Sequence, residues 1–169
     1  MKQQQFLLII NPVKDKMFRL ALRLLISKES AEDATQEIIL KLWNRKHKIN
    51  HYANIEAFAM KMVKNHCLDE LKAKRSSNLK IIHQNYESNQ IPLQREIELN
   101  NEMEWIGRII EELPEQQKVI FQLRDMEQYE YEEISKILEM KETAIRVALS
   151  RARKTVREKL TETHSYGTR

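Results

Sequence analysis

Residues 131–157 read YEEISKIL, then EMK, then ETAIRVALSRARKTVR, and the fold of the chain is decided by this stretch. A short helix near Tyr131–Leu138, the turn Glu139-Met140-Lys141 and a longer basic helix from about Glu142 to Leu160 make a helix-turn-helix pattern. At about 100° per residue the last helix separates into two faces. Ile145, Ala148, Leu149, Ala152 and Val156 fall inward, while Arg146, Ser150, Arg153, Lys154 and Arg157 point outward with Arg151 at the flank. Arginines near the start of such a helix reach base edges in the major groove, and those further along suit phosphates. Val147 also leans outward, where an apolar side chain meets a thymine methyl. Ordinary solvation of a surface helix would explain the charges alone, but the short helix and turn in front of them favour DNA.

Upstream, a helix at 115–126 carries Val119, Ile120 and Leu123, and one at 96–112 ends before Pro114. From Ser76 to about Gln94 the helical periodicity fails in a run rich in Ser, Asn and Gln, long for a loop inside a compact domain. The expected organisation is a domain at 1–75, a linker at 76–95 and a second domain at 96–169. In the first domain a helix is predicted to open at Asn11-Pro12, with Phe18, Leu22, Leu25 and Ile26 as its apolar stripe. Ser30 is expected to cap a second helix, running to about Lys46 with Ala31, Thr35, Ile38, Ile39 and Leu42 on one side. Asn54 is expected to cap a third, from Ile55 to about Arg75, packed through Ile55, Phe58, Ala59, Met62, Val63 and Leu71.

Composition agrees. The 169 residues include two Gly and three Pro, with 32% charged and 41% hydrophobic, which leaves little material for the turns of a β fold. The predicted class is all-α: two small helical domains joined by a flexible linker, the C-terminal one a helix-turn-helix. No run approaches the length of a membrane span, so no membrane insertion is expected, and Phe6–Ile10 is too short for a signal peptide. The single cysteine, Cys67, fits a reducing cytoplasm. Charge is uneven: 15 Lys+Arg against 8 Asp+Glu over residues 1–75, 6 against 14 over 76–140, and 8 against 3 over 141–169. Two basic blocks around an acidic one suggest two contacts with a polyanion.

The third helix places Asn54, Phe58, Lys61, Asn65 and Lys72 along one side. Amide, aromatic and cationic groups on one face suit single-stranded nucleic acid, although Phe58 alone reads more simply as core. On the second helix Asp33, Gln36, Glu37, Leu40 and Asn44 lie opposite the core stripe, with Trp43 beside them, a candidate protein-binding surface. Enzyme readings find no support. His47 and His51 lack the intervening catalytic glutamate of a metalloprotease, and with only Gly107 and Gly167 there is no glycine-rich phosphate loop. No metal, no cofactor and no catalysis are expected.

Taken together, residues 14–163 resemble the extracytoplasmic-function sigma factors of bacterial RNA polymerase. The resemblance rests on Ala31-Glu32-Asp33-Ala34-Thr35-Gln36-Glu37 with Leu40 and Leu42-Trp43, on Asn54 to Phe58 and Lys61 to Asn65 with Asp69 and Leu71, on Leu113-Pro114-Glu115-Gln116, on Tyr131-Glu132-Glu133-Ile134, and on Ser150-Arg151-Ala152-Arg153. It implies that Asp33, Gln36, Glu37, Leu40 and Trp43 grip core RNA polymerase. It implies that Asn54, Phe58, Lys61, Lys64 and Asn65 read and melt the minus-ten element of promoter DNA. Arg146, Val147, Ser150, Arg151 and Arg153 would face the minus-thirty-five element, and an anti-sigma factor would restrain the protein. The chain departs from the usual family pattern at Val147, often a small hydroxyl residue, at Ala148, often basic, and at Gln128, commonly glycine. The alternatives are a stand-alone helix-turn-helix regulator of duplex DNA and a helical adaptor that binds no DNA.

Overall fold

A computed structural model describes residues 2–49, 52, 54–84 and 102–166, with side chains described for 2–49, 52, 54–77 and 105–162. The described residues form seven α-helices and one π-helical turn, with no strand among them. Helices α1 (Gln3–Leu25), α2 (Lys28–Asn44) and α3 (Ile55–Gln84) make a first lobe. The second lobe holds α4 (Glu102–Glu111), α5 (Glu115–Phe121), a π-helical turn (Gln122–Met126), α6 (Tyr131–Leu138) and α7 (Glu142–Tyr166).

Helix α1 starts eight residues before the predicted Asn11-Pro12. Its buried face is Phe6, Ile10, Val13, Met17, Leu20, Ala21, Leu24 and Leu25, spaced three and four apart through the proline. Pro12 removes one helical hydrogen bond, to the carbonyl of Leu8. Both residues are exposed, so that carbonyl meets water. Burial of Phe6, edge-on to Trp43 at 5.1 Å between ring centroids, holds the extra turns and sets α1 antiparallel to α2. At the other end Ile26 leaves the predicted stripe: it takes the left-handed cap conformation (φ 63°) and is exposed. Ser27, not Ser30, caps α2, its hydroxyl accepting from the Ser30 amide at 3.2 Å. Ala31, Thr35, Ile38 and Leu42 are buried as expected, and the Thr35 hydroxyl is satisfied by the Ala31 carbonyl at 2.7 Å.

The Asn54 cap is as predicted, its side-chain oxygen accepting from the Ala57 amide at 2.9 Å. Helix α3 then continues past Arg75 to Gln84. The predicted break at Ser76 is absent because a polar run without Gly or Pro costs a helix only tenths of a kcal/mol per residue. The rest of the expected linker, residues 85–95, lies outside the described residues, as does the start of the helix expected at 96. The helix expected at 115–126 is α5 followed by the π turn, in which one extra residue per turn re-aims the side chains that follow.

In the second lobe Ile109, Ile110, Leu113, Val119, Ile120, Leu123, Ile134, Ile137, Ile145, Leu149 and Ala152 are buried together. The lobes also meet, α1 against α5 and the π turn, α3 against α6. The seam is polar. Arg19 forks onto Glu127 with two bonds of 2.7 Å, and Gln122 donates to the same carboxylate at 3.1 Å. Arg23 donates to Gln122 at 3.2 Å. Buried Tyr129 donates its hydroxyl to Glu56 at 2.5 Å, and Lys16 reaches the same oxygen at 2.7 Å. Burial pushes the Glu56 carboxyl up, but the Lys16 and Tyr129 bonds outweigh it and hold the group below its ordinary value. Burial and the Glu56 bond push the Tyr129 hydroxyl up, so it stays a proton donor at neutral pH.

Candidate nucleic-acid and protein interfaces

Helix α7 is positioned by its own buried stripe, Ile145, Leu149, Ala152 and Val156, with Ala148 half-buried. The turn before it is tied down by the Ser135 hydroxyl, which donates to the Met140 carbonyl at 2.6 Å, and by Glu139 in the left-handed cap conformation (φ 56°). Glu130 and Glu133 start α6 with a capping box, the Glu130 amide donating to Glu133 at 2.9 Å. The opposite face of α7 is open: Arg146, Val147, Ser150, Arg151, Arg153, Lys154 and Arg157 are all exposed, as the periodicity predicted.

The cations on this face are not equivalent. Arg153 is forked onto Asp125 of the π turn at 2.5 and 2.9 Å, and that bond raises its already high pKa. Its guanidinium is therefore engaged inside the lobe. Arg146 stacks on the Tyr131 ring, with its guanidinium carbon 3.8 Å from the ring centroid, and lies 3.5 Å from Glu142. Tyr131, Arg146, Ser150, Lys154 and Arg157 line one basic groove, and Val147, Arg151, Thr143 and Gln116 line another between α7 and the start of α5. Sequence reasoning assigned no role to Asp125 or to Tyr131. Asp125 had no local signal, since its partner lies 28 residues away.

The α3 face is differently placed. Asn54 spends its amide oxygen on the helix cap, and half-buried Phe58 is stacked on Tyr52 with centroids 4.1 Å apart and planes 16° off parallel. Lys61 is ion-paired at 2.6 Å with Glu139, in the turn of the helix-turn-helix. Half-buried Lys64 has its pKa lowered by burial, against the pull of Glu139 and with the push of Lys61 and Lys72. Asn65 is exposed.

On α2, Asp33, Gln36, Glu37 and Leu40 share one exposed side, Leu40 at 54% and Glu37 paired with Lys41 at 3.2 Å. Trp43 is half-buried between Phe6 and Lys46, whose amine sits 3.9 Å from the ring centroid. Cys67 is buried and its thiol is pushed up to about 12, so it is packing rather than a reactive thiolate. Among the described residues there is no cluster of side chains able to hold a metal ion, and no helix long and apolar enough to cross a membrane.

Two family models match in succession: Sigma-70 region 2 over residues 9–77, and Sigma-70, region 4 over residues 103–156. The chain belongs to the sigma-70 family, the promoter-recognition subunits of bacterial RNA polymerase. Its fold is similar to that of the sigma factor RpoE, solved in complex with the anti-sigma factor NepR from Bartonella quintana. That match has a TM-score of 0.74 and 18% identity over 94% of this chain and 98% of that one. It is also similar to CnrH, solved in complex with the cytosolic domain of CnrY, with a TM-score of 0.68 and 13% identity over 95% of this chain and 90% of that one. A sequence search of curated proteins gives no significant match.

Proposed function

We propose that the chain acts in the cytoplasm as a promoter-specificity subunit with no chemistry of its own, divided functionally at 1–75, 76–95 and 96–169. The α2 face of Asp33, Gln36, Glu37, Leu40 and Trp43 docks on core polymerase. The α3 face of Asn54, Phe58, Lys61, Lys64 and Asn65 takes unpaired bases and backbone of the minus-ten strand. Helix α7 enters the major groove of the minus-thirty-five element, with Arg146, Val147 and Ser150 toward base edges and Arg151 toward the backbone, while Arg153 reaches a phosphate only by exchanging its pair with Asp125. The observation that carries this reading is the order of the two matched regions, region 2 before region 4 along one chain.

The two elements lie about 25 base pairs apart, or about 85 Å of duplex at roughly 3.4 Å per pair. Lys61 is held 2.6 Å from the helix-turn-helix turn, so one closed molecule does not reach both elements. The lobes part when polymerase holds them, and an anti-sigma protein of the kind seen with similar folds would act by covering these faces or keeping them together.

Runoff transcription with core polymerase on genomic fragments tests the reading; specific transcripts that depend on the chain are expected. Asp33→Lys with Glu37→Lys should abolish recovery of core polymerase in a pull-down while leaving the circular dichroism unchanged, since both residues are exposed. Tight, sequence-selective duplex binding by the free chain, with no effect of the α2 variant on transcription, would instead establish the stand-alone regulator.

A further inference from the structure

We infer that Tyr131 is a positioning residue for promoter reading: its ring holds the Arg146 guanidinium in place before DNA arrives. The inference rests on the reading of α7 as the helix that enters the major groove. Tyr131 is the first residue of α6, fixed by the Glu130–Glu133 capping box, and its half-buried ring packs against the core of the second lobe. Two guanidinium groups lie against that ring, Arg146 at 3.8 Å and Arg124 at 4.7 Å from its centroid.

Arg124 comes from the π turn, and it is anchored by the Tyr129 carbonyl at 2.7 Å and by Glu130 at 3.2 Å. The ring is therefore in contact with one anchored arginine and with a second, Arg146, that is held more loosely. Arg146 stands on the first turns of α7 with its side chain more than half exposed, and among the described residues its other partner is Glu142, a loose 3.5 Å contact one turn back. An exposed arginine samples many rotamers and gives up that freedom when it makes a bidentate contact with a base. Stacking on a fixed ring removes part of that cost beforehand, and leaves the edge of the guanidinium, where its N–H donors lie, free for a guanine. Neither Arg153, tied to Asp125, nor Arg157, on the same face three turns on, has such a ring against it among the described contacts.

The test uses the full chain with core polymerase on a panel of promoters carrying single base-pair changes across the minus-thirty-five element. The variants are Tyr131→Phe, Tyr131→Leu, Arg146→Ala and the double variant Tyr131→Leu/Arg146→Ala, each checked by thermal unfolding. Tyr131→Phe keeps the ring and should retain both affinity and discrimination. Tyr131→Leu should lose about two- to fivefold in affinity for the cognate sequence. It should also weaken discrimination at the same base pair that Arg146→Ala relaxes. In the double variant the Tyr131→Leu effect should vanish, because the arginine it acts through is gone. The inference is overturned if Tyr131→Leu adds its full factor on top of Arg146→Ala, or if Tyr131→Phe loses as much as Tyr131→Leu, which would make the hydroxyl itself the DNA contact. A uniform loss over all sequences with Arg146→Ala would overturn the reading of Arg146 as a base contact, while the cycle would still decide whether the two residues are coupled.

Discussion

The two candidate nucleic-acid faces of this molecule are built from the same materials and stand in opposite states. On α7 the cations face solvent, and their partners, Tyr131 for Arg146 and Asp125 for Arg153, belong to their own lobe. On α3 the corresponding groups look across the seam or are already occupied: Lys61 pairs with Glu139 of the other lobe, and Phe58 lies against Tyr52. The contacts on α7 would survive a separation of the lobes, whereas the Lys61–Glu139 pair on α3 would not. The contrast lies in tertiary contacts, since both helices present cations at helical spacing.

The largest expected effect comes from breaking the seam at Glu127, whose side chain is only 3% exposed and carries both Arg19 and Gln122. Glu127→Ala should cost about 2 kcal/mol by leaving these donors without an acceptor, discounted because Arg19 is half exposed. Urea unfolding measures it, and single-stranded DNA binding by the free chain should rise as α3 is uncovered. A destabilised chain whose single-stranded binding stays at the wild-type level would break the contrast between the two faces. Acid acts on the same seam. Glu56 is held below its ordinary value, so its contribution is present above about pH 4.3 and is lost as pH falls through the lower folded value. Tyr129→Phe should flatten that part of the pH profile.

Next in size, the arginines of α7 should separate by position. Arg146→Ala should cost about 1–3 kcal/mol on the cognate element and relax preference there. Arg157→Ala, three turns on, should weaken all sequences alike and lower the salt slope by about one unit. Polymerase-complex affinity on base-pair variants at several salt concentrations reads both. Equal losses from the two would mean α7 is a phosphate clamp along its whole length.

A smaller effect is expected at Gln128, which adopts φ 61°, the left-handed region where a side chain is strained. Gln128→Gly should stabilise the second lobe by up to about 1 kcal/mol, read as a raised unfolding temperature with unchanged DNA binding. The smallest concerns Glu139. Glu139→Gln releases Lys61 and should raise single-stranded DNA affinity of the free chain about twofold at low salt, fading as salt screens the pair. An effect equal on single-stranded and duplex DNA would show that Glu139 acts by general charge and not by covering α3.

Much of the architecture was legible from local pattern. The inward and outward faces of α7, the α6 boundaries, the Asn54 cap and the buried side of α2 follow from helical periodicity and capping chemistry, which act within one or two turns. The ends of α1 and α3 were misread for one reason: proline and a serine-rich run are weak local signals, overruled at α1 by burial of Phe6 and Ile10 and insufficient at Ser76 to stop a helix. The sequence by itself determined an all-helical chain with two cationic faces and an acidic face on α2, because spacing and charge are properties of each helix alone. Only the tertiary structure decided which cations are free. Lys61 and Glu139 are 78 residues apart, and Arg19 and Glu127 are 108 apart. No local pattern pairs groups at such separations; packing of one lobe on the other brings them within hydrogen-bond reach.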